Sequence, residues 1–273
     1  MIINWIIGAL CALFVSVAAY RKGSLSLSGM LAAIVMGTVY YGAGNSFWFG
    51  ILLLFFVTSS VFSKFRGDRK LELEKSYAKS GRRDMMQVFA NGGLGMLACL
   101  GNFFWPDPAW GYFFVGSMAA VTADTWATEW GGLSKKAPIS IMTWKRVPAG
   151  TSGGVSLLGS SAALAGAIMI GGAAWILLHW IGDGESSSLL LVKWVIIGGL
   201  SGFVGAFADS LLGATLQKMN RCVVCGKSVE VSVHCDRSTV HERGLHWLNN
   251  DMVNLISALA AGCLAWALGM IWI

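Results

Sequence analysis

Apolar runs of membrane-spanning length recur along the whole chain, at about 2–19, 26–42, 47–63, 86–104, 110–130, 152–179, 190–215 and 251–272. An α-helix rises about 1.5 Å per residue, so roughly 20 apolar residues cross the ~30 Å hydrocarbon core of a bilayer. A chain of 273 residues has too little remaining sequence to cover eight such segments with a polar exterior. The expected fold is therefore an all-α polytopic membrane protein of about eight transmembrane helices, forming one integral membrane domain over residues 1–273. Composition supports this where it discriminates. Only 12% of residues are charged, about half the share of a soluble domain. The 13 Trp and 35 Gly suit a chain whose helices end at interfaces and pack closely. The first run lacks a basic leader and a small-residue cleavage site, so it reads as a retained helix rather than a signal peptide.

The connections predict an orientation, because Lys and Arg accumulate on the cytoplasmic side. Connections one, three, five and seven hold Arg21 and Lys22, Lys64 to Arg83, Lys135 to Arg146 and Lys218 to Arg243. The others are neutral or acidic, apart from Lys193. Both termini should face outward, leaving a basic cytoplasmic loop at 64–84 and a cytoplasmic Cys/His loop at 216–247. Both loops are too short for an independent core and should fold against the helix ends. Residues 69–79 have the composition of a short interfacial helix. The net charge of +6 is explained by topology and anionic lipid, so nucleic acid is not expected as a partner.

An ionised side chain at the centre of a membrane helix costs roughly 2.5–3.5 kcal/mol on insertion scales, which makes such residues functional candidates. Four occur: Asp124 and Glu129 near the end of helix five, Asp209 in helix seven and Asp251 at the start of helix eight. With the expected orientation, all four fall near the cytoplasmic ends of their helices. Asp124 and Glu129 point about 140° apart on an ideal helix, so they cannot share one ion without a bend. Asp209 stacks over Gly213, with Ser210 beside it, while Asn250 and Asn254 share one face of helix eight.

Facing the acids, the segment Lys145-Arg146-Val147-Pro148-Ala149-Gly150-Thr151-Ser152-Gly153-Gly154 runs into helix six. Small residues at a helix N-terminus, with two cations nearby, suit a phosphate. A similar entrance precedes helix four, with Arg83 and then Asn91. Neither has P-loop spacing. The oxygen donors Asp124, Asp209 and Asp251 suit Mg²⁺ shared with substrate phosphates, and the chemistry this favours is phosphoryl transfer. Structural readings compete: a lone embedded Asp serves as a cap or hydrogen-bond partner, and Gly-Gly permits close packing. A transporter or flippase also uses embedded acids, but would place them near the midplane. Separately, Cys222, Cys225, His234 and Cys235 cluster in one loop, open to structural Zn²⁺, to redox-sensitive thiols or to no role.

Five stretches together resemble the transmembrane protein 19 family, a membrane family that includes the plant phytyl-phosphate kinases. They are Gln87 to Gly92, Ala123-Asp124-Thr125-Trp126-Ala127-Thr128-Glu129, Val147 to Ser156, Asp209 to Gln217 and Asn249 to Asn254. The Cys222 to Cys235 insert departs from the plant pattern. The resemblance implies kinship with dolichol and phytol kinases, which typically use CTP. It implies a kinase that transfers a phosphoryl group from a nucleoside triphosphate to an isoprenyl monophosphate. The expected location of this multi-pass protein is a bacterial cytoplasmic membrane. Asp124, Asp209 and Asp251 would hold Mg²⁺, with Glu129, Asn250 and Asn254 beside it. Lys145, Arg146 and Thr151, Ser152, Gly153 and Gly154 would bind donor phosphates, and Arg83 and Asn91 would orient the acceptor. Cytidylyl transfer to a lipid phosphate would use the same residues, and oligomeric state is not legible.

Overall fold

The computed structural model describes residues 2–65, 81–181 and 188–271. The expected interfacial helix at 69–79 lies outside the described residues, as do Asp183 and Glu185 of connection six. Among the described residues there are eight long helices: α1 (Ile2–Arg21), α2 (Leu27–Val39), α3 (Ser46–Lys64), α4 (Met85–Phe104), α5 (Pro108–Gly131), α6 (Leu157–Ile181), α7 (Ser188–Thr215) and α8 (Asn250–Ile271). One π-helical turn, Tyr40–Gly44, extends α2 into the expected hairpin with α3. Six helices are apolar and long enough to cross a membrane; α4 and α5 are not among them. The reason for α5 is its position. It packs against α3, α4, α6, α7 and α8, and every residue from Phe114 to Ala123 is buried. A helix enclosed by other helices need not match lipid and is free to carry polar groups.

The chain is an integral, multi-pass, all-α membrane protein, and its surface agrees. Ile2, Leu10 and Phe14 project outward from α1, Phe14 with 76% of its surface exposed. In water such a face would demand a partner, whereas in a bilayer lipid covers it. Exposed Trp residues mark both ends: Trp105 and Trp180 at one, Trp144 and Trp247 at the other. Lys193, on the less basic end, donates to Tyr112 Oη at 2.8 Å and lies over its ring.

Association of helices in lipid relies on close contact rather than water exclusion, so small residues line the interfaces. A Cβ on Gly202 would come within 2.7 Å of Ala119 Cβ, and one on Gly205 within 2.5 Å of Ala120 Cβ. These contacts bring α7 against α5 at the depth where both carry acids.

The basic end is closed by small β elements that a helical reading does not contain. β1 (Ile139–Ser140) pairs with β2 (Gly154–Val155). The 216–247 loop holds β3 (Met219–Arg221), β4 (Ser228–Val229), β5 (Val233–His234), β6 (Arg237–Ser238) and β7 (Val240–Arg243), arranged as a β4-β3-β7 sheet and a β5-β6 hairpin. Helix six was expected from residue 152, but α6 begins at Leu157. Residues 154–155 give their backbone to the β1–β2 ladder, Gly153 adopts φ +80°, and Ser156 Oγ accepts from the Gly159 N–H at 3.1 Å to start the helix.

Candidate active site

A polar cavity of about 390 Å³ opens at the basic end of the bundle. All four basic connections contribute to its lining, through Ser24, Arg83, Lys136 with the 149–156 segment, and Gln217 with Glu230. The remaining wall comes from helix ends. Asp124, Thr128 and Glu129 project from α5, Asp209 and Ser210 from α7, Asn91 from α4, and Asn250 and Asn254 from α8. Asp124 and Glu129 both line this cavity, although they point about 140° apart on an ideal helix.

Asp209 is buried, and its Oδ2 accepts from Ser257 Oγ at 3.2 Å. Ser257 Oγ also lies 3.0 Å from the Asn254 carbonyl, and Asn254 Nδ2 donates to Asn91 Oδ1 at 3.4 Å. This chain of contacts ties α7, α8 and α4 together at one depth. Among the described residues nothing hydrogen-bonds the buried Asn254 Oδ1, a costly state for a polar atom unless a ligand completes it. Asp124, Asp209 and Glu230 line the same cavity. Carboxylates converging in a low-dielectric cavity repel unless a cation or shared proton lies among them. Asp124, Asp209 and Asn254 line the same cavity, and carboxylate and amide oxygens are the donor type that Mg²⁺ prefers.

Cations line the cavity as well. Arg83 precedes α4, and its guanidinium lies 5.8 Å from the ring centroids of both Phe55 and Phe56 and donates to Ser60 Oγ at 3.3 Å. Burial pulls its pKa below the ordinary arginine value, while the negative charge of Glu129 pulls it back up. Glu129 accepts from Ser63 Oγ at 2.5 Å. Arg83 is clipped in place through its backbone: its N–H donates to Ser24 O and its carbonyl accepts from the Ser26 N–H, both at 3.0 Å. A Cβ at Gly29 would lie 2.1 Å from Arg83 O. Gly29→Ala, although outside the cavity lining, should therefore displace the Arg83 segment and speed hydrogen exchange at the Ser26 and Arg83 amides that form the clip. Unchanged exchange at both amides in that variant would show that the clip does not set Arg83.

Several expected site residues are brought together and others are not. Asp124, Asp209, Glu129, Arg83, Asn91, Ser210, Asn250 and Asn254 line the cavity, as do Thr151, Ser152, Gly153 and Gly154. Asp251 does not: it is buried in the first turn of α8, outside the lining. Lys145 and Arg146 are exposed on the β1–β2 connection and are likewise outside the lining. Trp144 takes φ +56° in the turn that directs the chain there. Among the described residues, Lys64, Arg83 and Lys136 are the cations that line the cavity instead.

The Gly150 to Gly154 segment is also not a helix N-terminus. Thr151 N–H donates to Pro148 O and Gly154 N–H to Thr151 O, so the turn uses both donors itself. Gly153 is required by packing, because its Cβ would lie 2.3 Å from Ala214 Cβ and 2.9 Å from Ser210 O. What the segment offers the cavity is side chains. Ser152 Oγ donates to Gln217 Oε1 at 3.0 Å, and Gln217 Nε2 donates to Glu230 Oε1 at 2.8 Å.

Glu230 and Gln217 were missed as site residues by sequence reasoning. Glu230 lies in the cysteine loop, remote from every helix motif, and only the fold of that loop delivers it. Its position between the two halves of a Cys/His cluster was the available signal.

The family model for integral membrane protein DUF92 matches residues 10–262. This chain belongs to that family. It is similar to Protein PGR of Arabidopsis thaliana, 32% identical over 260 residues that cover 88% of this chain and 87% of the relative. It is similar to Uncharacterized membrane protein MJ0933 of Methanocaldococcus jannaschii, 30% identical over 89% of this chain and 84% of the relative. Protein VTE6, chloroplastic, of Arabidopsis thaliana is 25% identical over 85% of this chain and 62% of its own length. No solved structure matches. The DUF92 match spans all five motif stretches, so the resemblance to the transmembrane protein 19 family holds at the level of the whole chain.

Proposed function

We propose that the protein is a prenyl-monophosphate kinase, moving the terminal phosphoryl group of a nucleoside triphosphate, with CTP favoured, onto an isoprenyl monophosphate. One observation carries the reading: the polar cavity shares Arg83, Gln87 and Asn91 with an apolar groove between α1, α2, α3 and α4. Ala12, Val15, Ala33, Met36, Leu52 and Phe56 line that groove. A lipid phosphate fits this junction, with its head at Arg83 and Asn91 and its first isoprene units in the groove. The rest of the tail can lie in the bilayer. A family resemblance that includes the plant phytyl-phosphate kinases points the same way.

Asp124, Asp209 and Asn254 would hold Mg²⁺. When bound, it would neutralise charge on the transferring phosphates. Arg83 holds the acceptor phosphate and offsets its charge, and Lys64 and Lys136 attract the polyphosphate at the mouth. An acceptor phosphate oxygen attacks the terminal phosphorus of the donor, the bond from that phosphorus to the bridging oxygen breaks, and a nucleoside diphosphate leaves. The acceptor is already anionic near neutral pH, with a second pKa of about 6, so no side chain need take a proton. With the basic connections on the cytoplasmic face, the cavity opens where nucleotides are available.

The test incubates purified protein with Mg²⁺, each nucleoside triphosphate and phytyl or geranylgeranyl monophosphate, and identifies products by mass. Prenyl diphosphate with nucleoside diphosphate is expected. A nucleotidyl-lipid with pyrophosphate would replace the kinase by cytidylyl transfer, and no lipid product with any donor, alongside solute uptake in vesicles, would replace it by a transporter. Ala33→Trp narrows the groove and should lower kcat/KM for a geranylgeranyl acceptor by about 10–100-fold, the range for a few blocked methylene contacts. A five-carbon acceptor should lose far less. Equal losses for both would place the tail elsewhere.

A further inference from the structure

We infer that Cys222, Cys225, His234 and Cys235 form a structural zinc site whose task is to hold Glu230 in the wall of the cavity. The ligand atoms of the four residues all lie within 4.8 Å of one another. His234 Nδ1 is 3.2 Å from Cys235 Sγ and 3.6 Å from Cys225 Sγ. Tetrahedral zinc, with Zn–S of about 2.3 Å and Zn–N of about 2.0–2.1 Å, sets neighbouring ligands roughly 3.5–3.8 Å apart. The cluster is thus near its bound spacing, and three thiols with one imidazole form a recurrent structural zinc set.

Two turns build the site. In the first, between β3 and β4, Cys222 N–H donates to Lys227 O, Gly226 N–H donates to Cys222 O, and Gly226 takes φ +71°. That folds the chain back so that Cys222 and Cys225 face the same point. In the second, between β5 and β6, Cys235 and Asp236 adopt φ +52° and +57°, a two-residue hairpin turn with both central residues left-handed. It aims Cys235 and His234 at the first pair. The strands of this loop are two to four residues long, too short to hold themselves without a staple.

Glu230 sits between the two ligand pairs in the sequence. Asn220 Nδ2 donates to Val231 O at 3.1 Å, and Thr239 Oγ1 to the same oxygen at 2.8 Å. The segment carrying Glu230 is therefore anchored to both arms that the metal would join, and its carboxylate reaches the cavity through Gln217. The inference concerns the cysteine loop and does not depend on which phosphate the cavity takes.

The full chain, purified without chelator, should carry one zinc per molecule by elemental mass spectrometry, and cobalt in its place should give the visible absorption of a tetrahedral thiolate site. Cys225→Ser and Cys235→Ser should each lose the metal. A second readout uses the wild-type protein alone. Cys225 and Cys235 are exposed, so unliganded thiols there alkylate readily, whereas zinc-bound ones should be protected until a strong chelator is added. Chelation should also raise hydrogen exchange across residues 219–243, Glu230 included. Prompt alkylation of Cys225 and Cys235 in the untreated protein, a disulfide among the three cysteines, or zinc that persists in both variants would overturn the site. Protection that vanishes on chelation without faster exchange around Glu230 would overturn its proposed role.

Discussion

Asp209→Asn should cut phosphoryl transfer by about 10²–10³-fold in kcat, the scale for removing one group that stabilises transition-state charge in a closed site. The substitution is nearly isosteric. Its amide oxygen can still accept from Ser257 Oγ, so the contact between α7 and α8 survives. It also removes one of the carboxylates that share the cavity, leaving Asp124 and Glu230 there. Thermal unfolding in detergent should thus stay unchanged or move upward while product formation falls. A stable variant that retains full turnover would remove Asp209 from the catalytic set. Asp251→Asn makes the contrast, because Asp251 lies outside the cavity lining and should leave turnover within a few-fold of the natural protein.

The second large effect is expected at Arg83. Arg83→Gln should raise the KM for the prenyl monophosphate by about 100-fold, matching the roughly 2–3 kcal/mol that a charge-assisted hydrogen bond contributes in a partly buried site. Nucleotide KM should change little. The distinction matters because Lys64 and Lys136 line the same cavity and would serve the donor. Arg83→Lys should recover part of the loss by restoring charge without the planar fork. A rise in nucleotide KM with acceptor KM unchanged would reassign Arg83 to the donor side. A variant with normal kinetics for both substrates would exclude it from substrate binding.

Much of the fold was readable because membrane helices announce themselves by length and apolarity. The predicted runs and the eight helices agree to within a few residues at most ends. The larger discrepancy, at the start of α6, has a local cause: Gly153 and the β1–β2 ladder compete with the helix for residues 152–156. Acids and amides at the ends of α5, α7 and α8 were legible for a related reason, since burying them in an apolar helix is costly enough to need a purpose.

The loops behaved differently. Lys145 and Arg146 looked like phosphate ligands because they precede a glycine-rich helix entrance, yet a turn at Trp144 leaves them exposed outside the cavity lining. Arg83 reaches the cavity through two backbone hydrogen bonds to connection one, a partnership between segments nearly sixty residues apart. Glu230 reaches it through a hairpin and Gln217.

Residue order along this chain therefore determined that it lives in a membrane, how many long helices it has, and that its embedded acids gather at one end. Helix formation in lipid is a local matter of length and burial, so it can be read locally. Which cations face those acids, where Asp251 lies, and how a cysteine loop delivers a carboxylate were decided only in three dimensions. Each depends on hydrogen bonds between distant connections, and no local periodicity encodes those.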